Sequence, residues 1–282
     1  MSSNIILTGQ NAADSNNNSF VFKFSKTVNL DKFVVCLQSL SIYYSWFNIL
    51  SSVYYNSTFS YQWYNNTTEL YDTFNITLPD GLYGIADIKA YMQFVFIQNN
   101  HYSVDTATGN NVYYINMEVN SVLYSVQINT FPITPTPPDN ITYQFTAPKI
   151  TFNPILSFPT GNFNQIVGYA SGFSTTESNA GNTLSFSSST SPEVQPSPTL
   201  LMSVSCVNHF LTNPPNILYA VTPNVDAGAN YSVQPFPVWS DVQSGNYSEI
   251  RVQFYNTSFQ AIPIKDNNIC IILMLKPKEK NQ

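Results

Sequence analysis

Phe20, Phe22 and Phe24 alternate with Val21, Lys23 and Ser25, the period-two pattern of a strand with one buried face. The run from Val34 to Tyr44 continues that alternation. Val35, Leu37, Ser39 and Ser41 fall on one face, and Val34, Cys36, Leu40 and Ile42 on the other. Eleven residues at about 3.3 Å each give about 36 Å, long enough to cross a whole sandwich. Further strands are predicted over 58–63, 72–78, 112–117, 122–129, 142–145, 165–169, 183–186, 201–208, 217–221, 249–255 and 268–275. Ile269 to Leu275 is apolar on both faces, which predicts a central strand covered on both sides.

One helix is predicted, over about 85–98. After the turn Leu78-Pro79-Asp80-Gly81, the residues Ile85, Ile88, Met92, Val95 and Phe96 recur at helical spacing. Gly84 takes the N-cap position with Asp87 three residues on, a weakened capping arrangement with a carboxylate in the first turn. Phe131 to Pro159 carries Pro132, Pro135, Pro137, Pro138, Pro148, Pro154 and Pro159, each of which removes a backbone donor and punctuates a sheet. Ser187 to Pro198 is rich in Ser and Pro and reads as an exposed loop. Strands resume directly after both stretches, so neither reads as a linker between domains.

Together these elements predict an all-β, antiparallel β-sandwich of single jelly-roll type with one short helix. The expected organisation is an N-terminal arm over 1–18, a jelly-roll domain over 19–276 with extended loops near 131–160 and 187–199, and a tail over 277–282.

Composition narrows the function. Hydrophobic residues make up 43% and aromatics 15% of the 282, too apolar for intrinsic disorder. Charged residues are only 9%, against roughly 25% in ordinary soluble domains. The surface is therefore covered by neutral Asn, Ser, Thr, Gln and Tyr, which cost less to desolvate than ions. Interface cores share that depletion of charge and enrichment in aromatics. An Asn-rich genome would supply the neutral residues by drift, but not the aromatics.

The net charge is −6, and Arg251 is the only arginine. A sequence-specific nucleic-acid binder carries a basic patch, and the Lys276, Lys278, Lys280 cluster reads as a solubilising end. Cys36, Cys206 and Cys270 lie in apolar runs without a CxxC spacing and read as free thiols in a reducing compartment. No basic n-region and apolar h-region open the chain, and no run is long enough to span a bilayer. The Asn-X-Ser/Thr sequons therefore read as by-products of composition.

Catalytic chemistry is not indicated. The two histidines, His101 and His209, fall short of a metal-binding cupin set, and Cys206 and His209 would point to opposite faces of a strand. No GxSxG elbow or glycine-rich phosphate loop occurs. No enzyme, metal or cofactor is expected. Trp46, Trp63 and Trp239 could build a carbohydrate-stacking platform, which makes a lectin-like glycan-binding or adhesive β-sandwich the alternative. Trp46, directly after a long strand, and Trp239, flanked by Pro235 and Pro237, read as packed. A jelly-roll hydrolase would need two acids roughly 5–9.5 Å apart in a cleft.

Two blocks carry a family resemblance. The first is Leu7-Thr8-Gly9-Gln10-Asn11, the Asn16-Asn17-Asn18 run, the Phe20–Phe24 strand, and Leu37-Gln38-Ser39-Leu40-Ser41-Ile42-Tyr43-Tyr44-Ser45-Trp46-Phe47-Asn48-Ile49. The second is Leu78-Pro79-Asp80-Gly81-Leu82-Tyr83-Gly84-Ile85-Ala86-Asp87-Ile88, continued by Gln98–Tyr102 and Gly109–Ile115. Further echoes are Pro215–Tyr219 and Ile262–Asn267. In these the chain resembles the penton (minor capsid, vertex) proteins of virophages, polinton/Maverick elements and polinton-like viruses. The resemblance is densest over residues 7–115. It departs at Gly84, where a Ser-type cap is expected, and the Pro- and Ser-rich middle matches no motif.

The resemblance implies a single jelly-roll protein that forms homopentamers at the five-fold vertices of an icosahedral virion. It is then made inside the host cell without a signal peptide, and its neighbours are double jelly-roll major capsid proteins. A receptor-binding role toward the host is compatible with it. The arm would reach neighbouring subunits, and the 187–198 loop would face outward. Candidate inter-subunit or packing residues are Leu7, Gln10, Asn11, Tyr43, Tyr44, Trp46 and Phe47.

Overall fold

A computed structural model of the chain describes residues 3–12, 19–158, 161–194, 198–209, 212–226, 228–266 and 268–278. Its elements begin with β1 (Ser3–Thr8), β2 (Ser19–Asn29) and β3 (Phe33–Tyr43). There follow β4 (Thr58–Asn65), β5 (Leu70–Thr77), α1 (Ile85–Gln98), β6 (Ser103–Asp105), β7 (Asn111–Val112), β8 (Ile115–Asn120) and β9 (Ser125–Thr130). After these come β10 (Ile141–Tyr143), β11 (Ile155–Ser157), α2 (Phe163–Val167) and β12 (Leu184–Ser187). The chain closes with β13 (Leu200–Val204), β14 (Ile217–Val221), β15 (Asn230–Val233), β16 (Ser240–Asp241), β17 (Asn246–Tyr255) and β18 (Cys270–Pro277).

The stretch expected to be one domain over 19–276 divides into two compact units. Unit 1 joins Met1–Trp46 to Ser197–Gln282, and unit 2 is Phe47–Pro196. The first boundary carries no linker signature because the chain leaves unit 1 at Trp46, a core residue, whereas the second, between Pro196 and Ser197, falls in the Ser- and Pro-rich stretch that reads from sequence as a loop rather than a linker. Nothing in composition marks a boundary set among packed residues.

Unit 1 is a two-sheet sandwich with every strand pair antiparallel. One sheet runs β1-β18-β3-β15, with β16 also on β3, and the other runs β14-β13-β17-β2. Treat β15 and β16 as one interrupted strand and count along unit 1 alone. The orders are then first-eighth-third-sixth and second-seventh-fourth-fifth, the strand arrangement of a jelly roll. Unit 2 is an insertion in sequence between the third and fourth of these strands.

The sandwich core comes from both sheets: Leu7, Val35, Leu40 and Leu273 from one, Phe20, Met202, Val252 and Phe254 from the other. Central placement of β18 agrees with its apolar sequence, although its outward residues Ile272 and Met274 are only half-buried.

The alternation read along β3 changes phase partway. Val35 and Leu37 face the core in the first half, but Leu40 and Ile42 do so in the second. Against β18, Leu37 pairs with Leu273 and Ser39 with Ile272, so Gln38 is the extra residue of a β-bulge. One extra residue shifts the two-residue period by one face. Gln38 Oε1 is buried without a hydrogen-bond partner.

The expected arm over 1–18 is also corrected. Residues 3–8 form β1, an edge strand paired with β18 from Ser3–Leu275 to Thr8–Cys270, with Ile5 and Leu7 buried. Residues 13–18 lie outside the described residues. The tail begins as structure too: Lys278 bonds the Lys32 carbonyl and pairs with Asp241 at 2.8 Å, while 279–282 lie outside the described residues.

Unit 2 holds three small antiparallel sheets, ordered β11-β4-β5, β10-β6-β7 and β12-β9-β8, and both helices. The predicted helix is α1, with Ile85, Ile88, Met92 and Phe96 buried. The Asp87 carboxylate accepts from the Gly84 N–H at 2.8 Å, satisfying one orphan donor of the first turn. The strand expected over 165–169 is instead α2. A short apolar run fits either element, and Gly168 (φ +76) ends this one in the left-handed conformation. The 131–160 stretch contains β10 and β11, 201–208 is strand only to Val204, and 122–124 are turn rather than strand. In the loop near 187–199, residues 195–197 lie outside the described residues.

Candidate functional site

The seven sequence-selected residues separate by burial. Leu7 is fully buried opposite Ile271. Asn11 acts as a tie: its side-chain oxygen accepts from the Thr8 N–H at 2.9 Å, and its amide donates to the Val21 carbonyl at 3.4 Å. Gln10 between them is exposed. At the end of β3, Tyr43 is 40% exposed. Its backbone N–H donates to the buried Asp266 carboxylate at 2.8 Å. Tyr44 and Trp46 are buried, their rings 4.3 Å apart. Phe47, the first residue of unit 2, is half-buried.

The two groups share one end of a sheet. Thr8 pairs with Cys270, and Cys270 pairs with Ser41, so Gln10 and Tyr43 flank the start of β18. Asn268 lines a recess with each of them. Among the seven, Gln10 and Tyr43 are the exposed ones and can present contact atoms to another molecule.

Three surface features escaped sequence reasoning. The first is an open groove of about 540 Å³ on the β1–β2 flank, lined by Gln10, Asn11, Ala12, Val21, Phe22, Lys23, Glu249 and Arg251. Arg251 Nη2 lies 3.5 Å from the Glu249 carboxylate. The second is the β15–β16 interruption on the other flank. There Val233 pairs with Leu40 and Ser240 with Val35, so six residues, 234–239, stand opposite four of β3. Pro235 and Pro237 lack the donor needed to pair, and Phe236 and Val238 are 89% and 68% exposed. Trp239 beside them is half-buried, with the Lys276 ammonium 4.4 Å from its ring. The expectation that Trp239 is packed is therefore met only in part, with its neighbour Val238 in solvent. The third is the β8–β9 turn of unit 2, where Val122, Leu123 and Tyr124 are exposed.

The remaining chemistry is enclosed. Trp63 is buried and stacks on His101 at 4.2 Å and 6°. His101 Nδ1 and the Tyr61 hydroxyl share a 2.8 Å hydrogen bond, and the Asn99 amide donates to that hydroxyl at 3.0 Å. Burial lowers the His101 pKa from 6.5 to about 4, and it pushes the Cys206 thiol up to about 12. Among the described residues, no group of three or more His, Cys, Asp or Glu could hold a metal ion. No helix of the described residues is long and apolar enough to cross a membrane. With Trp46 and Trp63 buried, two of the three tryptophans of the glycan-platform alternative are unavailable for stacking.

The His101 environment has a measurable consequence. Its folded pKa lies below the unfolded one, so the unfolded chain gains its proton first as pH falls. The neutral ring's full contribution is present above about pH 6.5 and is lost progressively toward about pH 4. With allowance for partial solvent screening the loss is about 2 kcal/mol. Thermal unfolding across that range is expected to show it, and His101→Gln to flatten the profile. An identical pH profile in the variant would contradict a buried neutral ring.

No family model matches the chain, and no curated protein matches it. Among solved structures, the chain is similar to the mavirus penton protein. That crystal structure, of selenomethionine-labelled protein, shares 11% identity over 98% of each chain with a TM-score of 0.45.

Proposed function

We propose that this is a structural capsid protein that forms homopentamers at the five-fold vertices of an icosahedral viral particle and performs no catalysis. The observation that carries the reading is where the resemblance blocks fall. Leu7–Asn11 ends the edge strand β1, Phe20–Phe24 lies within β2, and Leu37–Ile49 covers the end of β3 and the exit into unit 2. The first block thus falls on jelly-roll strands and the second, Leu78–Ile88 with its continuations, on the entry to α1 and the strands after it in unit 2. A rigid sandwich with a neutral, aromatic-rich composition suits a subunit whose faces are desolvated on assembly. The partners in this reading are further copies of the chain and a double jelly-roll major capsid protein, with a host receptor compatible at the vertex.

Co-expression with such a major capsid protein tests it. The chain is expected in purified particles, with five-fold averaged images placing its density at the vertices. Density elsewhere in the shell, or particles that assemble without the chain, would contradict the reading.

A further inference from the structure

At the tip of the β8–β9 hairpin three successive residues, Val122, Leu123 and Tyr124, are 84%, 62% and 77% exposed. Strand pairing runs up to Asn120 opposite Ser125, so the tip is the turn 121–124. The Leu123 N–H donates to Asn120 Oδ1 at 3.1 Å, a bond that holds the turn without help from the apolar side chains. Tyr124 takes a left-handed backbone, φ +49, which glycine adopts freely and a bulky residue does not. Neither burial nor backbone conformation accounts for apolar residues at this turn.

The shape of the tip selects what can cover it. Three successive residues that are each largely exposed share no common face, so a flat protein patch cannot bury them together. A fluid medium closes round a convex tip without a matched cavity. Val122 and Leu123 offer aliphatic groups to the acyl boundary of a bilayer. Tyr124, apolar in body and polar at its end, suits the headgroup level.

Charge then selects the lipid. The sheet β12-β9-β8 carries a single charged residue, Glu118, whose carboxylate accepts from the Asn116 and Asn129 amides at 3.2 and 3.3 Å. Unit 2 as a whole sets nine acids against Lys89 and Lys149. Anionic headgroups repel such a unit, and zwitterionic ones do not.

Three side chains hold a bilayer weakly in a single copy. In a ring, the five-fold axis sets all five tips at one height, so they meet a flat surface together and their affinities multiply. Resting on the pentamer reading above, we infer that the Val122–Tyr124 tips insert together into a zwitterionic lipid surface.

Flotation of the full chain with phosphatidylcholine vesicles tests this, with the mass of the same sample measured by light scattering. The pentamer is expected to float with the vesicles, equally well at high salt, and added phosphatidylserine should lower the bound fraction. Leu123→Asp should lower it at least about tenfold, with mass and melting temperature unchanged. A pentamer that does not float would overturn the insertion and leave the ring reading in place. Binding that requires phosphatidylserine and vanishes at high salt would also overturn it, because lysines would then make the contact. Cell-membrane vesicles that bind the pentamer only until they are protease-treated would assign the tip to a protein receptor instead. A monomeric chain would overturn the ring reading, and a tethered form then decides the tip. For that form a histidine-tagged chain is held on the vesicles by a chelating lipid. It carries an environment-sensitive dye at Ser121→Cys in a Cys270→Ser background, since Cys36 and Cys206 are buried. Dye emission shifted to the blue, and restored by Leu123→Asp, would support insertion, and no shift would overturn it.

Discussion

Trp63→Ala is expected to cost about 3–5 kcal/mol of folding stability, the range for removing a large buried aromatic. The indole stacks on His101 and meets Phe145, Phe152 and Tyr114 edge-on, so one truncation removes four ring contacts and opens a void. It also admits water beside His101, which should raise that histidine's pKa from about 4 toward its ordinary 6.5. Denaturant unfolding gives the first quantity, and histidine titration by NMR gives the second. A loss below about 1 kcal/mol would mean that the cluster collapses around the gap and that its packing is not what holds unit 2.

Removing residues 1–8 is expected to cost about 3–6 kcal/mol, since Ile5 and Leu7 each contribute about 1.5–3 kcal/mol by burial. It would also leave β18 as an exposed edge. By contrast, Ile6→Lys changes an outward-facing, exposed residue of the same strand and should stay within about 0.5 kcal/mol. Calorimetry on the truncated chain and on Ile6→Lys separates the two. Equal and small effects in both would show β1 to be dispensable. The same expectation affects any assembly experiment that deletes the whole N-terminal stretch: particles would be lost through unfolding of the sandwich, whatever the stretch does between subunits.

Much of the fold was legible because its strands are long and locally patterned. β2, β3, β17 and β18 announce themselves by alternation or continuous apolar runs, and α1 by its spacing and turn. What escaped was decided at long range. β1 offers only Asn4-Ile5-Ile6-Leu7 before a polar turn, and its partner β18 lies at the other end of the chain, so no local window shows that it is a strand. The phase of β3 depends on a single bulged residue, Gln38, whose identity carries no bulge signal. The insertion escaped because its first boundary, beside Trp46, sits among packed aromatics, and its second, at Pro196, lies in a Ser- and Pro-rich stretch that reads equally well as a surface loop.

The candidate site was partly legible. The end of β1 and the end of β3 were singled out, and the register through β18 brings them to one end of a sheet. Leu7, Tyr44 and Trp46 nevertheless serve the core, which leaves Gln10 and Tyr43 facing outward. The exposure of Phe236 and Val238 could not be read from sequence, since proline-flanked aromatics are as often packed as displayed. That distinction depends on how many residues β3 sets against the interruption.

Assembly is the central claim, and size exclusion coupled to light scattering measures it directly on the unmodified chain. The account predicts a species of five times the 31.6 kDa chain mass, with five-fold rings in negative-stain images of the same fraction. A species that keeps the single-chain mass as concentration rises, and never enters particles with the major capsid protein, would contradict it.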